Sequence, residues 1–262
     1  MNIISHPLSY YVDLLKENKP FCFVRYGDGE WLTILGFYGL HNSNGCTFTR
    51  ELSEDLRAVL KRQNPYYHAI LKVAKRERDV NFNGGLVPYG LSSISKFLDD
   101  NKIGLYWYNG DVLLNANLEG KLWPLIEQIR KRRILYIGNE RLRGLNGRGV
   151  GLFDFITYIQ VPPQNTHSIK AQLVETVKTF IPKYKIDFIG WSAGLASKVF
   201  IDEVFMAYPD VTQIDFGSTF DAFFDPLPHI KAMGRNGSRS YIRNGGYDWS
   251  KLLKQNKGEQ VE

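Results

Sequence analysis

Phe21-Cys22-Phe23-Val24-Arg25-Tyr26-Gly27-Asp28-Gly29-Glu30 is the stretch on which the fold turns. Phe21 to Val24 is a short apolar run of strand-forming residues that ends abruptly at a charge. Arg25 to Glu30 reads as a glycine-spaced polar turn, and Trp31-Leu32-Thr33-Ile34-Leu35 then resumes apolar character at helical spacing. A buried strand, a tight polar turn and a helix start form the usual ligand-binding geometry of open α/β sheets, with polar groups at the carboxyl end of a strand.

The turn's chemistry narrows the function. Asp28 and Glu30 are two acidic oxygen ligands in alternate positions. Gly27 and Gly29 permit backbone angles that point both carboxylates at one ion. Such a pair suits a hard divalent cation that also holds substrate phosphates, because it offers too few ligands for a closed protein cage. Arg25 is close enough in sequence to bind a phosphate or fix a carboxylate. The same residues also read as a capped turn with an acidic first helical turn and a surface arginine.

Composition sets the outer limits. A chain of 262 residues can bury a sizeable core, and 44% hydrophobic with 14% aromatic content excludes a largely disordered protein. The expected organisation is one α/β domain over 1–230, with a mostly parallel, Rossmann-like sheet flanked by helices. A basic, aromatic lid or acceptor-binding tail follows over 231–262. The net charge of +6 favours an acidic ligand or partner without distinguishing nucleotide-sugar, nucleic acid or anionic membrane. Cys22 and Cys46 are too few for a disulfide framework and read as reduced thiols, so the expected location is the cytoplasm, or the host cytoplasm for a viral chain. No window holds about 20 uninterrupted apolar residues, so no stable membrane insertion is expected. The aromatic content is compatible with a homo-oligomer.

Taken in order, Leu8 to Leu15 predicts a lead-in helix and Glu30 to Phe37 the helix after the motif. Thr49 predicts the cap of a helix that buries Leu52, Leu56, Val59 and Leu60. His41 to Cys46 reads as a polar loop. Tyr66 to Val73 is apolar without a clear period, the Lys75 to Asp79 run reads as solvent-facing, and Gly84 to Gly90 as a loop. Ile103 to Tyr108 predicts a strand, Leu122 to Ile129 a helix, and Ile134 to Ile137 a buried strand after the basic run Arg130 to Arg133. After it, Gly138-Asn139-Glu140 with Arg141, Arg143 and Arg148 presents polar groups by topology: an arginine for a diphosphate, Asn139 or Glu140 for a nucleoside or sugar. Phe155 to Val161 predicts another strand. A helix from Ser168 to Phe180 is expected to end at Pro182.

The second informative stretch is Lys185 to Asp221. Ile186 to Ile189 predicts a strand. Gly190, Ser192, Ala193 and Gly194 then lead into the helix Leu195 to Tyr208, whose start can bind an anion through backbone N–H groups and a hydroxyl. Close packing of that helix on the sheet explains the small residues equally well. The Gly-Leu-Ala-Ser-Lys segment lacks P-loop spacing, and no GxGxxG fingerprint occurs. Thr212 to Phe216 predicts a last strand, and Gly217 to Asp221 its polar exit. In the tail, Arg235, Arg239 and Arg243 alternate with Tyr241, Tyr247 and Trp249, which suits a lid, a phosphate-contacting surface or base stacking.

Arg-Tyr-Gly-Asp-Gly-Glu resembles the R-[FY]-G-D-G-E motif of the GT-D glycosyltransferases, first described as a domain of unknown function in bacterial glycan-assembly proteins. The later Ile-Gly-Trp-Ser-Ala-Gly and Asp-Phe-Gly segments resemble that family's second motif in order and separation, and the likeness spans roughly residues 10 to 222. Trp191-Ser192 stands where a Cys-Gly-like pair is expected, and Ser218 where many relatives carry His. The resemblance implies metal-dependent transfer of a sugar from a nucleotide-sugar, with a UDP-linked donor expected, to a hydroxyl acceptor. It implies Asp28 and Glu30 as supports for Mn²⁺ or Mg²⁺ across the diphosphate, with Arg25 and the Ser192-Ala193-Gly194 helix start on the donor. Inverting chemistry would need a base. Asp215 and Asp221 are the candidates, ahead of Asp111 and Glu140. The acceptor would be a glycan, a glycopeptide or a hydroxylated nucleic acid. Phosphate hydrolysis and a non-catalytic nucleic-acid-binding module are the competing readings.

Overall fold

The computed structural model describes residues 1–42, 45–119, 121–146 and 152–220. Asp221, Arg148 and the whole 231–262 tail singled out in the sequence lie outside the described residues.

In chain order the strands are β1 (Ile3–Ile4), β2 (Cys22–Tyr26), β3 (Tyr67–Ile70), β4 (Arg78–Phe82), β5 (Gly85–Tyr89), β6 (Trp107–Asn109), β7 (Ile134–Gly138), β8 (Phe155–Gln160), β9 (Phe188–Ser192) and β10 (Thr212–Asp215). The helices are α1 (Leu8–Lys16), α2 (Asp28–Leu35), α3 (Arg50–Arg62), α4 (Leu91–Asp100), α5 (Val112–Leu118), α6 (Trp123–Arg130), α7 (Lys170–Tyr184) and α8 (Ser197–Phe205). Eight strands form one sheet in the order β1-β6-β3-β2-β10-β9-β7-β8. Every described pairing in it is parallel. The α/β architecture expected from strand–helix alternation is therefore present.

The sheet is buried on both faces, as a parallel sheet must be. Cys22, Val24 and Tyr26 of β2 join one core with residues of α2, α3, α4, α7 and α8, whereas Phe23 joins a second core with α1, α5 and α6. The amphipathic α3 shows how sequence makes this layer. Thr49 Oγ1 accepts the Leu52 N–H at 3.2 Å, and Leu56, Val59 and Leu60 are fully buried, each contributing about 1.5–3 kcal/mol relative to exposure.

Four local expectations need correction. The motif is not a turn of six residues: β2 runs through Arg25 and Tyr26, and α2 begins at Asp28, leaving Gly27 alone as the hinge. Nor do its glycines adopt left-handed backbone: Gly27 has φ −101°, and Gly29 is helical. Gly29 is needed for space, since a Cβ there would stand 2.5 Å from Leu195 Cδ2. The Gly84 to Gly90 loop is instead an antiparallel hairpin of β4 and β5. Its two-residue turn, Asn83-Gly84, has φ of +51° and +78°, the pattern that an Asn-Gly pair provides for a hairpin. Finally, α7 continues through Pro182 to Tyr184 instead of ending before it.

Candidate functional site

The carboxyl edge of the central strands gathers most of the residues singled out above. Because β2, β10, β9 and β7 are consecutive neighbours in the sheet, their exits lie in a row. That row spans roughly 14 Å, three spacings of about 4.8 Å. It carries Asp28 and Glu30 after β2, Asp215 at the end of β10, Ser192 to Gly194 at β9, and Asn139 with Glu140 at β7.

Asp28 and Glu30 sit in the first turn of α2 and point to different partners. Glu30 Oε2 accepts the Gly27 N–H at 2.8 Å, the reciprocal half of a capping box. Glu30 Oε1 lies 2.5 Å from Lys198 Nζ, and the same ammonium lies 2.8 Å from Asp215 Oδ2. The second contact is an ion pair without the alignment of a hydrogen bond. Asp215 Oδ1 accepts the Gly217 N–H at 3.0 Å. This Glu30–Lys198–Asp215 unit is buried throughout, with Lys198 only 3% and Asp215 1% exposed. Burial alone would depress the Lys198 ammonium; Asp215 and Glu30 together outweigh it and hold the pKa above the ordinary lysine value.

Asp28 faces outward and is held by the hairpin. Arg78 Nη2 lies 2.8 Å from its Oδ2 and Tyr89 donates its hydroxyl to Oδ1 at 3.1 Å. Arg78 and Tyr89 are a cross-strand pair of β4 and β5, with the guanidinium 4.5 Å from the ring centroid. Burial lifts the Asp28 carboxyl above its ordinary range, and Arg78 and Tyr89 counter this only in part.

These partners decide how a divalent cation would fit. Glu30 has one oxygen on a backbone N–H and the other on an ammonium, both in the interior. Asp28 keeps its side chain 29% exposed. The motif therefore presents one outward carboxylate rather than a two-carboxylate clamp. Among the described residues no group of three or more His, Cys, Asp or Glu is placed to hold a metal.

The other expected residues distribute as follows. Arg25 lies on the opposite face of β2 from the α8 side, buried, with Nη1 donating to Thr219 Oγ1 at 3.2 Å. Ser192 Oγ pairs with Tyr136 OH at 2.9 Å. The start of α8 is largely self-capped: Ala193 donates its N–H to Ser197 Oγ at 3.3 Å, and Ser197 Oγ donates to the Gly194 carbonyl at 2.9 Å. Asn139 Oδ1 accepts the Arg141 N–H at 3.1 Å, and its carbonyl accepts the Tyr158 hydroxyl. Asn139, Glu140, Arg141, Gln160, Pro162 and Pro163 line a cavity of about 560 Å³ at the ends of β7 and β8.

Sequence reasoning missed Lys198, Arg78 and Tyr89. A lone lysine in the otherwise apolar Val-Phe-Ile run of α8 is one readable signal, because a buried ammonium requires acids nearby. The Asn-Gly turn is another, since it places Arg78 opposite Tyr89.

The fold is similar to that of a solved structure described as the selenomethionine-substituted domain of unknown function 1792 (DUF1792), with 16% sequence identity and a TM-score of 0.57. The match covers 88% of this chain and 82% of that one. No family model matches the sequence, and no curated protein matches it. No helix among the described residues is long and apolar enough to cross a membrane.

Proposed function

We propose that this chain is a nucleotide-sugar-dependent glycosyltransferase working along the carboxyl edge of β2, β10, β9 and β7. The observation that carries this reading is Lys198, whose ammonium joins Glu30 of the Arg-Tyr-Gly-Asp-Gly-Glu stretch to Asp215 of the Asp-Phe-Gly stretch. Two motifs noticed separately in the sequence are thereby one electrostatic unit, as a shared site requires.

In this reading Asp28 is the carboxylate that would hold Mn²⁺ or Mg²⁺, because one carboxylate with substrate phosphates is a coordination Mg²⁺ commonly uses. Such an ion supplies positive charge to the departing nucleoside diphosphate. Glu30 positions rather than ligates: it caps Gly27 and fixes Lys198, whose ammonium offsets part of the negative charge that Glu30 and Asp215 bring to the strand ends. Asp215, expected above as a base, is enclosed by Lys198 and the Gly217 N–H, so its part here is also positioning. Ser192 and the backbone of Ala193 and Gly194 lie between Asp28 and the cavity beside Asn139 and Glu140, where the nucleoside end of a UDP-linked donor fits. The acceptor is a glycan, a glycopeptide or a hydroxylated nucleic acid.

The test is a mass-spectrometric screen of UDP-, GDP- and TDP-sugars with Mn²⁺ or Mg²⁺ and each acceptor class, run beside Asp28→Asn and chelator controls. Transfer that disappears in both controls is the expected result. A folded protein that neither binds nor consumes any donor would sink the assignment.

A further inference from the structure

The end of β2 carries a second charged feature, on the face away from Glu30. Strand alternation sends Phe23 and Arg25 toward α5 and α6. Arg25 is 7% exposed, and its single described hydrogen bond is Nη1 to Thr219 Oγ1 at 3.2 Å. Its Nε is buried with no hydrogen-bond partner. The nearby carboxylates are committed elsewhere, Asp215 to Lys198 and Asp28 to Arg78, and no described carboxylate pairs with Arg25. A guanidinium stays charged at any physiological pH, so among the described residues this cation is buried without a counter-ion, an arrangement that costs stability until an anion answers it.

Asn117 of α5 supplies the complementary group. It is 4% exposed and donates Nδ2 to the Thr219 carbonyl at 2.9 Å. That bond fixes which amide atom is oxygen, and Oδ1 is buried without a partner. An unmet donor and an unmet acceptor thus flank one residue, Thr219. The backbone above them is glycine for a reason. Gly217 has φ +50°, and a Cβ there would stand 2.4 Å from Arg25 Nη2.

We propose that Arg25 and Asn117 form an oxyanion site on the α5 face of β2, suited to a phosphate that keeps one protonated oxygen. Arg25 N–H groups donate to the anionic oxygens, and Asn117 Oδ1 accepts from the phosphate hydroxyl. Hydrogenphosphate or a phosphate monoester meets both requirements; chloride and a carboxylate meet only the first. The site does not depend on the transferase reading, because it lies on the other face of the sheet from Asp28.

Inorganic phosphate is the probe, titrated into the full chain with KCl at matched ionic strength as reference, and followed by thermal unfolding and ³¹P line broadening. The wild type responds saturably to phosphate and at least about tenfold more weakly to chloride, which meets only the guanidinium. Arg25→Met abolishes the response. Asn117→Leu keeps the guanidinium and weakens phosphate binding at least about tenfold while leaving acetate binding unchanged. Absence of a phosphate-specific response in the wild type, or an equal response in Asn117→Leu, overturns the proposal.

Discussion

Two charged networks lie one helical turn apart on α8 and differ in how completely they are satisfied. Asp202 is fully buried, yet Arg62 Nε reaches its Oδ2 at 2.6 Å while Asn64 Nδ2 and Tyr66 OH both donate to Oδ1 at 2.8 Å. Four residues earlier, Lys198 is the single cation among the described residues that faces two carboxylates, whose other oxygens accept the Gly27 and Gly217 N–H groups, and one of its contacts lacks hydrogen-bond alignment. The saturated network ties α3, the entry to β3 and α8 together near the amino ends of the strands. The charge-unbalanced one sits at their carboxyl ends, where α/β sheets place ligands. In the proposed reading the saturated network is structural, and the one with residual charge at the strand exits belongs to the site.

The harshest way to break this contrast is to remove Lys198. Lys198→Met leaves Glu30 and Asp215 as buried, unpaired carboxylates, and the expected loss is about 3–5 kcal/mol in urea unfolding at pH 7. Asp202→Ala is the matched change in the other network. It strands Asn64 and Tyr66, while the Arg62 side chain, 38% exposed, can return to water. The expected loss is smaller, about 2–3 kcal/mol, with turnover per folded molecule unchanged. Equal costs, or a turnover defect in Asp202→Ala, would erase the distinction.

The next lever is pH, through His68 beside the saturated network. Its Nε2 lies 3.2 Å from the Asn64 carbonyl, and burial pushes its pKa down to about 4. The unfolded chain takes up a proton near pH 6.5 that the folded chain refuses until about pH 4. Stability is therefore full above pH 6.5 and falls as pH drops through that window. With 1.36 kcal/mol per unit, the loss between pH 7 and pH 5 is about 2 kcal/mol. Urea titrations of wild type and His68→Phe at the two pH values measure it; the variant should lose this part of the slope.

The contrast also explains what was legible in the sequence. Patterns governed by near neighbours were readable: Thr49 capping α3, the apolar runs of β2 and β7, and the acidic positions following β2. Pairings made by distant chain segments were not. Lys198 meets Glu30 across 168 residues and Asp202 meets Arg62 across 140, and no local periodicity encodes such a contact. Arg78 was hidden differently. Its charged neighbours suggest a solvated run, and only the Asn83-Gly84 hairpin turns it back onto Asp28. The Arg25 side chain was misplaced because a strand, not a turn, carries it, and strand alternation sends it to the far face.

The smallest effect on folding is expected where the effect on function is largest. Asp28 holds its proton more tightly in the folded chain than in the unfolded one, because burial outweighs Arg78 and Tyr89. Its ionised form therefore opposes folding slightly at neutral pH: stability from this group is full below the unfolded carboxyl value and is lost as pH rises through the raised folded one. Asp28→Asn keeps the shape and an acceptor for Tyr89 while removing that cost. It also removes the charge facing Arg78, a partly exposed pair of small worth. The net change should be slightly upward and within about 1 kcal/mol, read by urea unfolding at pH 7. Asp215→Asn, whose carboxylate belongs to the buried unit, should instead destabilise. A site residue that costs stability and a positioning residue that supplies it are the two signs the comparison requires. If Asp28→Asn unfolds as readily as Asp215→Asn, the outward carboxylate is part of the scaffold and the division between scaffold and site at this edge is wrong.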